Sequence, residues 1–377
     1  MSPAFAAPRP QADFSPSYAQ ARANFLRVAS QATATLEHHV LPGHLGREGE
    51  ELALDAALLP SEQPGGPLVV VSSGIHGVEG ICGSGCQVAM LNDADLLAKA
   101  SRQGVDLLFL HALNPHGFSY WRRANEDNVD LNRNFLDFAA PPRDANLAYA
   151  DLHDLLLPAT WPPAHEVTQA LQAYIAQHGA AAYRQAVTAG QRNHPDGMFY
   201  AGNRPTWSNR VVRDLLRRHA AARPALAWVD LHTGLGPWGH GEKIHAGPPN
   251  ATALAAGRAT WGADVVAAWE GGSASEQVLG FLTLSAQEEC PDTELLSIAL
   301  EFGTVPYENF LDAVRGDHWL HGHPEAPPDL ADRIRQDMVA AFYQDDDTWR
   351  GMVAAQSRVA VLQACLSLGA RNRGAQG

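Results

Sequence analysis

The stretch LVVVSSGIHGVEG, from Leu68 to Gly80, decides how the rest of the chain is read. Its first half is a short apolar run rich in β-branched residues, preceded by the polar, turn-forming SEQPGGP of 61–67. A strand that is apolar at consecutive positions has both faces covered, as in a parallel sheet. Its second half places a histidine and a glutamate among glycines just where that strand must end. Three further runs have the same form: VDLLFLHAL over 105–113, ALAWVDLH over 225–232 and LSIALEF over 296–302. Helical spacing of apolar residues falls between them, near 84–100, 165–189 and 207–222. Strands buried on both faces and alternating with helices predict an α/β fold with one domain, a mixed but mostly parallel central sheet and helices on both faces.

Working outward, YAQARANFLRVASQATATL from Tyr18 predicts a first helix, and the Pro- and Ala-rich residues 1–15 read as a flexible arm ahead of a single domain over 16–370. DLADRIRQDMVAAFY and TWRGMVAAQSRVAVLQACLSL predict two C-terminal helices, with HPEAPP at 323–328 a surface connector and the acidic residues 345–347 a helix boundary. The 377 residues carry 27 Lys+Arg against 41 Asp+Glu, a formal charge of −14, which argues against a nucleic-acid partner. A hydrophobic share of 46% with 12 Phe, 9 Trp and 8 Tyr excludes disorder over the whole chain. Four scattered cysteines, Cys82, Cys86, Cys290 and Cys365, form no disulfide framework and read as buried thiols in a reducing compartment. The N-terminus has no basic region followed by an apolar segment, and no run of about 18 uncharged apolar residues occurs, so a cytoplasmic protein without a membrane partner is expected.

In sheets of this kind chemistry sits at the carboxyl ends of the strands. His76 and Glu79 follow the first run, Asn114 and His116 the second, His232 ends the third and Glu301 the fourth. His76 and Glu79 at H-x-x-E spacing, with a distant His232, make a candidate His₂Glu zinc site that leaves one coordination position for water. Zinc at such a site lowers the pKa of water and polarises a carbonyl, and the chemistry then needs a carboxylate to take the proton; Glu301 is the candidate base. Each residue alone has a plainer reading, as a satisfied strand-end histidine or a loop acid. Their joint occurrence at strand ends, flanked by glycines, is what points to a metal.

With these residues in place, the chain resembles the zinc carboxypeptidase (M14-like) superfamily, through HGVEG, NVDLNRNF, DLHTG and ALEFGT in that order. That superfamily includes the digestive carboxypeptidases and the aspartoacylase and succinylglutamate desuccinylase group. SSGIHGVEG, ALNPHGF, RRANEDNVDLNRNF, PTWSN and DHWLHGH resemble its DUF2817 branch more closely, from about Phe14 to Gly351. The resemblance implies one Zn²⁺ per chain held by His76, Glu79 and His232, with Glu301 as general base. It also implies that Asn132 and Arg133 hold a substrate carboxylate, and that Arg123, or its neighbour Arg122, polarises the scissile carbonyl.

Two features depart from the superfamily. No tyrosine lies between His232 and Glu301, although Tyr307 follows closely, and no secretory signal or propeptide is evident, so small substrates are expected. The leading expectation is a zinc metallohydrolase of an amide bond in a small molecule or short peptide bearing a carboxylate, carboxypeptidase-like on peptides. The alternatives are an N-acyl amino acid deacylase and a non-catalytic binding protein on the same fold. A serine hydrolase fails on pattern, since none of Ser72, Ser73 and Ser84 sits in a Gly-x-Ser-x-Gly elbow. GMFYAGNRPTWSN (197–209) is a candidate covering loop with Ser208 or Asn209 as a helix cap, and Gly271 to Cys290, with Glu276, Glu288 and Glu289, is the expected specificity segment. His153, His240, His245, His318, His321 and His323 lack a strand-end carboxylate at ligand spacing, so no second metal is expected.

Overall fold

A computed structural model describes residues 10–140 and 146–376. Seven strands, β1 (Thr35–Leu45), β2 (Glu51–Leu59), β3 (Leu68–Ser73), β4 (Asp106–His111), β5 (Ala225–Trp238), β6 (Gly241–His245) and β7 (Glu294–Gly303), form one sheet in the order β1-β2-β4-β3-β5-β7-β6. β4, β3, β5 and β7 run parallel, and β1, β2 and β6 pair antiparallel at the two edges. The four parallel strands are the four apolar runs of the sequence.

Alternation along these strands divides the core in two. Val69, Val71, Phe109, Val229 and Ile298 point to one face, where the helices Tyr18–Gln31, Gly80–Leu91, Ala94–Arg102, Ala251–Trp261 and Asp347–Gln376 pack. Leu68, Val70, Leu110, Leu226 and Trp228 point to the other, covered by Trp207–His219 and Leu284–Glu289. At about 1.5–3 kcal/mol for each large side chain fully buried, this two-sided burial is what holds the sheet centre. The segment Asp347–Arg373, with a window of mean hydropathy 1.2, is long and apolar enough to cross a membrane by length and composition. Here Trp349, Val353, Val361 and Leu368 of that helix are spent on the sheet face. All four cysteines are free and buried.

Three expectations change. Residues 1–9 of the expected arm lie outside the described residues, but Pro10–Ala12 forms a short 3₁₀ turn and Phe14 and Ser15 are buried, Phe14 because Gly85 leaves room for its ring against the helix Gly80–Leu91. The single helical pattern over 165–189 is two helices, His165–His178 and Ala180–Thr188, broken at Gly179, whose φ of +87° only glycine adopts freely. The cap of the helix Trp207–His219 is Thr206, whose hydroxyl accepts from the Asn209 amide at 3.3 Å, rather than Ser208 or Asn209.

The chain adds β4 on one side of β3 and then crosses to place β5 on the other, so the carboxyl ends of β3 and β5 flank a switch point, where such sheets open a crevice. The turn after β3 is packed tightly against the helix Pro115–Tyr120 that follows β4: a Cβ on Gly77 would stand 2.0 Å from the Gly117 carbonyl carbon. Gly77→Ala is therefore expected to destabilise the protein by about 1–3 kcal/mol, through overpacking. Chemical unfolding checks it, and an unchanged midpoint would show that the two turns are not in contact.

Candidate metal centre

After Ser73, Gly74 turns the chain at φ +69°, and Gly77–Glu79 closes a 3₁₀ turn with His76 as its cap. Positions three apart eclipse in such a turn. This brings His76 Nδ1 to 2.8 Å from Glu79 Oε1. On β5, Ser73 of β3 pairs with Leu231, so His232 stands one step beyond the end of β3, and the two-residue period puts Asp230 on the same face. His232 Nδ1 lies 3.1 Å from Glu79 Oε2, and the Thr233 amide donates to that same oxygen at 3.1 Å. One ligand atom each from His76, Glu79 and His232 thus lies within 4.8 Å of the other two, and all three residues are buried.

The far nitrogens of both rings meet carboxylates. His232 Nε2 is 2.6 Å from Asp230 Oδ2, and His76 Nε2 is 3.3 Å from Asp130 Oδ1. Asp230 is itself held by the Ser72 hydroxyl at 2.5 Å, and Ser72 accepts from the Trp228 indole at 2.7 Å. A carboxylate behind a histidine fixes its ring and raises the basicity of the other nitrogen, which is what a metal ligand requires. Two imidazole nitrogens and one carboxylate, so oriented, fit zinc.

The electrostatics favour a cation. Burial alone would raise the Glu79 carboxyl, but His76 and His232 outweigh it and bring it down to about 2. Burial opposes charge on His232, yet Asp230 and Glu79 lift it well above its ordinary value. Asp130, despite burial, is held well below the carboxylate range by Arg123, Arg133 and His76.

Glu301 on β7 pairs in register with His232. Its Oε1 accepts from the Leu235 amide at 2.9 Å, leaving Oε2 for a proton. Burial, then the charge of Glu79, push it up to about 7 against the pull of His232, Leu235 and Arg123. Arg123 bonds Asp130 Oδ2 through Nε at 3.0 Å and donates from Nη2 to His76 Nε2 at 2.8 Å, with Nη1 3.6 Å from Glu79. Arg122 turns away to Asp317, Asn128 and His321, so of the two arginines it is Arg123 that enters the site.

Asn132 and Arg133 line the same cavity, of about 470 Å³. Asn132 Oδ1 accepts from the Leu282 amide at 2.8 Å, leaving Nδ2 as a free donor. Arg133 is braced by the Thr188 carbonyl, at 3.0 and 2.7 Å from Nε and Nη2, and burial brings it down only to about 10, so it stays charged at neutral pH. Part of the remaining wall, residues 274–284, comes from the expected segment 271–290. Glu276 reaches the cavity and pairs with Arg184 at 2.8 Å, whereas Glu288 and Glu289 face Arg213 outside it. Tyr307, just beyond β7, also lines the cavity, its hydroxyl buried without a partner among the described residues.

Sequence reasoning missed Asp230, Asp130 and Arg184, while Phe199, which lines the cavity, belongs to the expected covering loop 197–209. Asp230 had a signal, an acid two positions before His232 inside an apolar strand, and Asp130 lies in the quoted DLNRN motif. Arg184 arrives by tertiary packing alone. Asp230→Asn is expected to weaken metal binding about 10–100-fold with the fold intact, because the ring of His232 loses its anionic anchor. Competition with a chromophoric chelator measures this, and an unchanged affinity would remove Asp230 from the metal centre.

The family model described as Protein of unknown function (DUF2817) matches residues 14–356. No curated protein matches the chain. Among solved structures, the chain is similar to a metallo-carboxypeptidase from Burkholderia cenocepacia, at 13% identity over 93% of this chain and 69% of that one, with a TM-score of 0.46. It is also similar to bovine thrombin-activatable fibrinolysis inhibitor, solved with tick carboxypeptidase inhibitor (10% identity, 96% and 98% covered, TM-score 0.46), and to carboxypeptidase A from Helicoverpa armigera (15%, 87% and 74%, 0.39).

Proposed function

We propose that this chain, which belongs to the DUF2817 family, is a zinc-dependent hydrolase of an amide bond in a small carboxylate-bearing substrate, acting on peptides as a carboxypeptidase does. The observation that carries this reading is the convergence of His76, Glu79 and His232, each histidine backed by a buried carboxylate, beside Glu301 in the wall of one cavity. A divalent ion held by those three residues supplies a Lewis acid that acidifies water and polarises a carbonyl oxygen.

The chain's own groups do the rest. Glu301 Oε2 takes a proton from water as its oxygen bonds to the carbonyl carbon, then delivers that proton to the leaving nitrogen as the C–N bond breaks, giving a carboxylic acid and an amine. A carboxyl near pH 7 is suited to both transfers. With His76 holding the ion, its ring proton would sit on Nε2 beside Asp130 Oδ1, and Arg123 Nη2 would be free to donate to the developing oxyanion. Asn132 Nδ2 and the spare N–H groups of Arg133 present directional donors to a carboxylate. A cavity of about 470 Å³ suits an amino-acid residue and its acyl neighbour rather than a folded chain.

Untagged wild type is expected to hold zinc that His232→Ala loses, as read by mass spectrometry; a wild type that retains no metal after zinc loading and dialysis removes the reading. Glu301→Gln is expected to keep the metal and lose about 10²–10⁴-fold in rate on a panel of peptides and N-acyl amino acids, the amount a positioned base contributes. Because the reactive form of Glu301 is the carboxylate, kcat/KM is expected to fall as pH drops below about 7, or lower once the metal's charge acts on it. A rate with no acid limb at any pH where the metal stays bound would count against Glu301 as the base.

A further inference from the structure

The loop that runs from Arg192 to Phe199 ends over the cavity. Phe199 holds φ at +52°, and its ring lies 5.0 Å from the guanidinium of Arg123 and 5.6 Å from that of Arg133. A bulky side chain in left-handed backbone is strained, so the loop has to be held by what surrounds it. Asn128 Nδ2 donates to the carbonyls of Pro195 and Gly197, at 3.0 and 3.1 Å, and the Tyr149 hydroxyl accepts from the Met198 amide at 2.6 Å.

Alongside these braces stand three side chains with ligand chemistry: His153, which opens the short helix His153–Leu156, and His194 and Asp196 from the loop. One ligand atom of each lies within 4.8 Å of the other two. The two imidazoles stack with centroids 4.2 Å apart and planes 28° from parallel. His153 Nε2 is 3.6 Å from Asp196 Oδ2, too long for a hydrogen bond, and His153 Nδ1 is buried with no partner among the described residues. The His153 side chain has given up most of its water and gained no hydrogen bond among those residues. Partial burial, and then the neighbouring ring, hold His194 below its ordinary value, so it offers a lone pair rather than a charge at neutral pH. The carboxylate that no strand end supplied to His153 comes from Asp196, on a different segment.

We propose that His153, His194 and Asp196 bind a second divalent transition metal, which ties the helix at His153 to the loop carrying Phe199 and so braces the roof over Arg123 and Arg133. Two imidazoles and one carboxylate select zinc, copper or nickel over magnesium or calcium. Asp196 is largely exposed, so this site is shallower than the His76–Glu79–His232 centre and gives up its ion to a chelator first. It does not depend on the hydrolase reading.

The test compares untagged wild type, His232→Ala, His194→Ala and Asp196→Asn, each loaded with zinc, desalted and assayed for metal per chain, with circular dichroism as the folding control. Two equivalents in wild type and one in each variant are the expected result, with amide exchange over 190–199 slowing when the second equivalent is added. One equivalent in wild type, lost only in His232→Ala, overturns the proposal. So do two equivalents that survive both His194→Ala and Asp196→Asn, or surplus zinc bound alike by every variant. Exchange that ignores the second ion overturns the bracing role. Failure of the central metal reading shows separately, as a His232→Ala variant that holds as much metal as wild type.

Discussion

Asp230 is an acid in the middle of a buried strand, and the site depends on how its charge is satisfied. An unpaired carboxylate there is costly enough that it would neutralise rather than remain charged. Both of its oxygens are instead engaged, one by Ser72 on β3 and one by His232 on its own strand, and Ser72 is fixed in turn by Trp228. The chain of contacts from Trp228 to Glu79 therefore begins in the apolar core and ends at the candidate metal ligands. It exists only because β3 and β5 lie side by side in parallel register, with Ser72 opposite Asp230. The same adjacency places the switch point of the sheet between them, so the constraint that satisfies a buried charge is also the one that opens the crevice.

What the sequence made legible follows from burial. The four strands covered on both faces appear as continuous apolar runs, and β3 ends where its run ends. The three antiparallel strands, β1, β2 and β6, did not show. β1 is mostly exposed and mixed in character; β6 is five residues containing Glu242 and Lys243. β2 is buried but carries Asp55, made tolerable by Arg22 and His38 from elsewhere in the chain, and no local pattern predicts those partners. The site divides in the same way. His76, Glu79, His232 and Glu301 are legible because parallel strands deliver their chemistry at one edge. Arg123 could not be told from Arg122 by spacing, since the difference lies in the buried partner, Asp317, that draws Arg122 away.

The arginines show why the pocket is one unit rather than a collection of groups. The backbone carrying Arg122 and Arg123 pairs with the turn between the ligands, through Gly77 N to Arg123 O and Val78 N to Arg122 O, at 3.2 and 2.9 Å. Movement of the arginine segment therefore moves the His76–Glu79 turn. Arg122, buried and engaged with Asp317, Asn128 and His321, anchors that segment from behind without touching the cavity. Asn128 then extends the same network to the carbonyls of Pro195 and Gly197.

Backbone strain follows this network. Among the described residues, the non-glycine positions with positive φ are Thr33, Ala112, Trp121, Asn128 and Phe199. Thr33 sits in the turn between the helix Tyr18–Gln31 and β1. Ala112 follows β4; Trp121 and Asn128 bracket Arg122 and Arg123; Phe199 covers Arg123 and Arg133. Each costs on the order of 1 kcal/mol or more and survives only where the surroundings over-determine it. A chain that needed only to bury its core could relax these turns with glycine, as it does at Gly74 and Gly179. At Phe199 glycine would remove both the strain and the ring over Arg123 and Arg133, so the aromatic side chain there has to contribute more than the backbone loses. Its contact with two buried cations is the interaction that offsets that cost.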